Sequence, residues 1–198
     1  MTATLYFIRH AAHGHLGQTL SGRMPGVSLS DDGRAQAAAL ARHLAGRRFA
    51  AIHTSPVQRA GETAAALAAD RGLAPSVAPA LDEIDFGTWT GRRFAELDGD
   101  PQWTRWNGER GSARVPGGET MAEAQARATG FAAAVAARHD GEAVALVSHC
   151  DVIRAVLAGY LGLPLDQALR FDIDPASVSR VSVGDWGHQI HSINEVMA

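Results

Sequence analysis

The sequence holds a single cysteine, Cys150, so no internal disulfide framework is available, and a reducing compartment suits it. It has no apolar run near the roughly 20 residues that span a bilayer. Its start, MTATLYFIRH, lacks the basic leader and long apolar stretch of a secretory signal. It lacks a charge excess as well: a formal net charge of −3 exerts no global pull on nucleic acid or an anionic membrane, so any anion site must be local. Repeats are missing, and alanine enrichment is the only compositional bias. These absences lead us to expect a cytoplasmic protein with no nucleic-acid or membrane partner. What is present is an ordinary globular composition, 46% hydrophobic, on 198 residues, enough for one α/β domain with a real core.

Thr4 to Ile8 are β-branched, aromatic and aliphatic, and predict a core strand. A Gly-rich loop follows. SLSDDGRAQAAALARHLAG predicts a helix with Ser30 as N-cap and Asp31 and Asp32 at the positive end of its dipole. Leu40 and Leu44 share its buried face, and Gly46 is its stop. FAAIHTSP predicts a second short strand running into a helix with Ser55 as N-cap and Pro56 at the first helical position. That helix carries Arg59, Thr63 and Leu67. Periodicity then weakens: residues 92–118, with Trp103, Trp106, Arg92, Arg93, Arg105, Arg110 and Arg114, read as an insertion or lid. An Ala-rich helix follows from about Glu119 to His139. GEAVALVSHCDVIRAVLAGYLG gives an apolar strand, a histidine, and a helix with Asp151 near its start. The tail segments LRFDID, SVSRVSV and HQIHSI read as strands near a sheet edge. The expectation is a single domain over residues 1–198: a mainly parallel central sheet covered by helices on both faces, with a small lid.

Ligands of such sheets bind outside the carboxyl ends of the strands. His10 follows the first strand, Arg59 lies in the helix after the second, and His149 ends the strand AVALVS. Three separated segments thus deliver polar groups to one edge. A transferring phosphoryl group spreads charge over three oxygens, so its catalysis is mostly positioning and electrostatics, which guanidinium forks suit. A neutral imidazole can attack phosphorus and hold the group covalently, and a protonated acid is then needed beside the leaving oxygen. Glu83 and Asp85 in LDEIDFG are the candidates. The run HAAHGH also admits a metal-dependent hydrolase, with His10, His13 and His15 as ligands and Asp151 or His149 completing the shell. That reading leaves Arg9 and Arg59 unexplained, and a cation beside the ligands would oppose a divalent ion.

In chain order, FIRHA, LSDDGRAQA, TSPVQRAGETA, LDEIDFGTWTG, PGGET and VSHCDVIRA resemble the histidine phosphatase superfamily, which includes the cofactor-dependent phosphoglycerate mutases. The resemblance implies that family's α/β sandwich, with His10 as the nucleophile that becomes phosphohistidine. It implies Arg9, Arg59 and His149 as holders of the phosphoryl oxygens, and Glu83 as proton donor and later base for water. No metal or other cofactor is called for. The chain is shorter than the mutases and resembles the phosphatase branch, so hydrolysis of a small phosphorylated substrate is the expectation. Mutase-type transfer or a non-catalytic phosphate-binding module are the alternatives. Two features depart from the family pattern. Ala11 and Cys150 stand where RHG and SHG have glycine, and the usual Thr or Asn past the nucleophile is missing, with Thr19, Ser21 or main-chain N–H groups near Gly22 and Gly26 as substitutes. His13 and His15 read as loop residues at the site entrance, Cys150 as packing, and Arg154 as a structural helix charge. Trp103 and Trp106 read as substrate contacts or lid packing. Sugar phosphates, phosphorylated acids, nucleotide-like esters and phosphoproteins all fit as substrates, and nothing in the sequence encodes the oligomeric state legibly.

Overall fold

A computed structural model describes residues 2–196. Its centre is β1 (Thr2–Arg9), where Leu5 and Phe7 on one face and Tyr6 and Ile8 on the other are all buried. A strand covered on both faces reads as one apolar run rather than an alternation, as this one does. The other strands are β2 (Ala51–Thr54), β3 (Ser76–Val77), β4 (Ala143–Ser148), β5 (Val178–Gly184) and β6 (Gly187–Glu195), in the order β3-β2-β4-β1-β5-β6. The first four pair parallel, whereas β5 and β6 are antiparallel.

Six helices follow from local signals. α1 (Asp31–His43) starts where Ser30 Oγ accepts from Gly33 N at 3.0 Å. α2 (Gln58–Ala68) starts two residues later than expected. Ser55 Oγ accepts from Val57 N at 3.2 Å and so fastens the turn before the helix rather than its first turn. α3 (Phe94–Leu97) and α4 (Pro101–Gly108) are short. α5 (Met121–Ala136) opens with a capping box between Thr120 and Glu123, and α6 (Cys150–Leu161) follows β4 directly. α1 and α2 pack on Tyr6, Ile8, Ile52 and Val147; α5 and α6 cover the opposite face against Leu5, Phe7, Val144 and Leu146. Both faces are therefore covered, as expected. Leu97 and Trp106 from the 92–118 segment are fully buried in the α5/α6-side core. No helix among the described residues is long and apolar enough to cross a membrane.

SVSRVSV and HQIHSI form β5 and β6 at one side of the sheet, with β6 at the edge, but LRFDID forms no strand. It spans the end of a 3₁₀ turn, Leu165–Arg170, and an irregular stretch. Its backbone groups pair with side chains instead of a neighbouring strand. Arg154 Nε donates to Phe171 O at 3.1 Å, Arg9 Nη1 to Ile173 O at 2.5 Å, and Asn194 Oδ1 accepts from Asp174 N at 2.6 Å.

The register positions the site. Arg9 pairs with Ser148 and Thr54 with Val147, so β1, β2 and β4 end nearly flush, and His10, Ser55 and His149 emerge side by side. α1 is docked tightly onto the loop after His10: Ala12 O accepts from Ser30 N at 3.1 Å, and a Cβ on Gly33 would lie 1.8 Å from that same oxygen. Replacing a helical glycine by alanine ordinarily stabilises by up to about 1 kcal/mol. Here Gly33→Ala is expected to reverse the sign and destabilise by about 2–3 kcal/mol through overpacking, read as a lower chemical-denaturation midpoint. A midpoint at or above that of the parent would show that this docking is not tight.

Candidate active site

Arg59 is the centre of the site and only 1% exposed. Its Nε–H donates to His10 Nε2 at 3.1 Å; Nη2 donates to Gly22 O at 2.8 Å and lies 3.3 Å from His149 Nδ1. These contacts fix the tautomers. His10 Nδ1 lies 2.8 Å from Ala11 O, which only accepts, so the proton sits on Nδ1 and Nε2 carries the lone pair. In His149, Nδ1 faces a guanidinium donor, so Nε2 carries the proton and donates to Ser55 Oγ at 2.8 Å; that hydroxyl donates to Asp82 Oδ1 at 3.3 Å. Thr63, one turn beyond Arg59, ties the helix to the loop: its hydroxyl donates to Arg59 O at 2.8 Å and accepts from Ala11 N at 3.0 Å.

Burial and the Arg59 guanidinium depress His10 well below the usual imidazole range. Burial and the neighbouring His10 and Arg59 do the same for His149. Both rings are neutral near pH 7, so Nε2 of His10 carries its lone pair without prior deprotonation. The carboxylates are driven apart. Burial, then the charge of Asp151, push Glu83 up to about 7. Burial acts on Asp151 as well, yet Arg110 at 3.1 Å and Arg154 at 3.5 Å hold it below its ordinary value.

Arg9, His10, Arg59 and Glu83 line one cavity of about 260 Å³. His149 is fully buried beside them, its Nδ1 3.6 Å from Glu83 Oε2. Two guanidinium nitrogens here, Arg59 Nη1 and Arg9 Nε, are buried with no hydrogen-bond partner among the described residues. Asp85 stays outside the cavity and accepts from Gly87 N at 2.9 Å, as a turn residue does. Trp106 is core; Trp103 lines the cavity. Arg154 also lines it, with Asp151 and Asp172 as partners, which goes beyond a plain helix charge. Neither Ala11 nor Cys150 is among the non-glycine residues with positive φ, so their side chains bring no backbone strain. Cys150 packs against Ile173 O at 3.4 Å with its thiol pushed up to about 11 by burial.

Sequence reasoning assigned nothing to the residues that hold Glu83 in place. Arg23 Nε donates to Glu83 O at 2.7 Å and Arg127 Nη2 to the same oxygen at 3.1 Å, while Glu119 Oε2 binds both arginines. Glu119 lies inside PGGET, and that motif is the one signal that pointed to it. The metal reading finds no geometric support: among the described residues no group of three or more His, Cys, Asp or Glu side chains is placed to hold an ion.

A family model described as histidine phosphatase superfamily (branch 1) matches residues 5–196. The chain belongs to that superfamily. Phosphoserine phosphatase 1 of Hydrogenobacter thermophilus is 32% identical over 178 residues, covering 87% of this chain and 84% of its own length. Glucosyl-3-phosphoglycerate phosphatase of Mycobacterium tuberculosis is 32% identical over 165 residues, 77% of this chain and 74% of its own. The native structure of a mycobacterial glucosyl-3-phosphoglycerate phosphatase superposes with a TM-score of 0.88 at 27% identity, covering 98% of this chain and 99% of that one. As a superfamily member with phosphatases as its relatives, the chain is a phosphomonoester hydrolase.

The raised Glu83 carboxyl links the stability of this phosphatase to pH. Its value rises from 4.5 to about 7 on folding, so the folded chain binds more protons between those limits. The stability this group contributes is full below 4.5 and is lost as pH rises through about 7. Glu83→Gln keeps the shape and removes the charge. Calorimetry is expected to give closely similar Tm values for variant and parent at pH 5, and a Tm several degrees higher for the variant at pH 8. A parent that is the more stable at pH 8 would contradict the burial argument.

Proposed function

We propose that hydrolysis runs through a phosphohistidine on His10, and the contact that carries this reading is Arg59 Nε at 3.1 Å from His10 Nε2. That contact marks the unprotonated ring nitrogen and sets a cation beside it. Arg9 and Arg59 grip the phosphoryl oxygens, each with a buried N–H that lacks a protein acceptor. His149 is the third holder: the negative charge of a bound phosphoryl group favours a proton on Nδ1, which donates to it. The Nε2 lone pair forms the N–P bond as the ester P–O bond breaks, and Glu83, protonated up to about pH 7, gives its proton to the leaving oxygen. Glu83 then takes a proton from water as the water oxygen attacks phosphorus. The N–P bond breaks, and inorganic phosphate and neutral His10 are restored.

The substrate class follows from charge. Arg9, Arg59, Arg110 and Arg154 line the cavity against one ionised carboxylate, Asp151, leaving three positive charges in excess when Glu83 is protonated. A phosphomonoester dianion supplies two negative charges. A carboxylate on the leaving group supplies the third, which makes small phosphorylated acids the favoured substrates. The relatives' names agree, since phosphoserine and glucosyl-3-phosphoglycerate both carry a carboxylate. Residues 92–118 act as the lid in this reading, with Phe94, Trp103, Asn107 and Arg110 along one wall. A cytoplasmic setting rests on the single cysteine.

Mixing the enzyme with a phosphomonoester and quenching without acid is expected to trap one phosphoryl group on His10 by intact-protein and peptide mass spectrometry, with or without chelator. Label on serine or on Cys150 would refute the mechanism. Glu83→Gln is expected to slow an alkyl phosphate by 100-fold or more, at the lower end of typical acid–base contributions of about 10²–10⁴, but nitrophenyl phosphate by far less. Equal slowing of both esters would remove Glu83 as the acid.

A further inference from the structure

We propose that His13 is a phosphate-binding residue, the neutral ring donor that takes the place of the hydroxyl or amide missing after the nucleophile. This rests on the phosphohistidine reading of the same site. His13 lies three residues past His10 in a loop, yet it is only 8% exposed and lines the same cavity as His10, Arg9 and Arg59. Its ring centroid is 5.3 Å from that of His10. Its Nδ1 is buried and has no hydrogen-bond partner among the described residues. A buried polar atom left unpaired is costly, so this one, in a cavity with two arginines that also hold unpartnered N–H groups, is suited to bind a phosphoryl oxygen.

Of the other substitutes, Ser21 Oγ is bonded to His15 Nδ1 at 3.1 Å and Gly26 does not line the cavity, while Thr19 and Gly22 line it alongside His13. His13, by contrast, is set in place by its neighbours. It forms an isolated bridge with Leu29, its carbonyl accepts from Leu16 N at 3.1 Å, and Ala12 N is anchored to Gln36 Oε1 at 2.9 Å. The chemistry suits the site as well. Burial, then the charges of Arg59, His15 and Arg9, lower His13 to about 4. It therefore stays neutral over the working range and offers one N–H without adding a cation that Arg59 would repel.

The test compares the parent with His13→Ala, His13→Asn and His13→Gln, reading vanadate inhibition and the KM of an alkyl phosphomonoester. A hydrogen bond to a charged group is worth about 1.5–3 kcal/mol, so His13→Ala is expected to weaken vanadate about 10- to 100-fold. Thermal stability should be retained and kcat less affected than KM, and Asn or Gln should recover part of the loss. Vanadate affinity and KM within about twofold of the parent in His13→Ala would overturn the proposal. The parent itself gives a second measurement: with ¹⁵N-labelled histidine, inorganic phosphate is expected to shift the His13 Nδ1 resonance, and an unmoved resonance at saturating phosphate would overturn the assignment even if the alanine variant does not fold. A parent that releases no phosphate from any ester and ignores vanadate overturns the phosphatase mechanism, an outcome distinct from a normal parent with indifferent His13 variants.

Discussion

A guanidinium buried beneath the carboxyl edge of a parallel sheet is the constraint around which the rest of this molecule is arranged. Arg59 has two neutral imidazoles and a carbonyl as hydrogen-bond partners and no carboxylate among them. A buried cation without a bonded counter-ion is costly. The fold tolerates it because Thr63 and Ala11 lock helix to loop, and because the carboxyls of Glu83 and Asp82 lie near enough to act on it through space. Burial, and after it the same positive charge, keep His10 and His149 unprotonated. Two guanidinium nitrogens of the site, Arg59 Nη1 and Arg9 Nε, are left without a partner among the described residues.

Two carboxylates in one cavity are driven apart, Glu83 to near 7 and Asp151 below its ordinary value. The division arises from partners rather than depth. Asp151 has Arg110 and Arg154 against it, whereas Glu83 accepts a main-chain N–H from Ile84 at 2.9 Å and has no arginine in direct contact. Arg23 and Arg127 reach the backbone of Glu83 instead, which fixes its position without neutralising it.

His10, Arg59 and His149 were legible in the sequence because each sits at or one turn past a strand end, and strand ends in a parallel sheet share an edge. The α1 cap was legible for a local reason, a side chain and a main-chain N–H three residues apart, whereas the Thr120 cap of α5 emerged only in the structure. Arg23, Glu83 and the pair Glu119 and Arg127 come from three distant segments and meet only in the fold, so no local spacing announces their contacts. Ser55 reads as a cap but fastens a turn and receives the proton of His149, since the turn demanded the hydroxyl before the helix began. LRFDID alternates like a strand, yet side chains of the site claim its carbonyls first.

Cys150 directly follows His149, but its sulfur donates to Ile173 O at 3.4 Å and its thiol is pushed up to about 11, so almost none of it is thiolate at neutral pH. Peroxides and alkylating agents act on thiolates. The one thiol of this phosphatase lines the cavity, yet in this form it offers those agents little thiolate to attack.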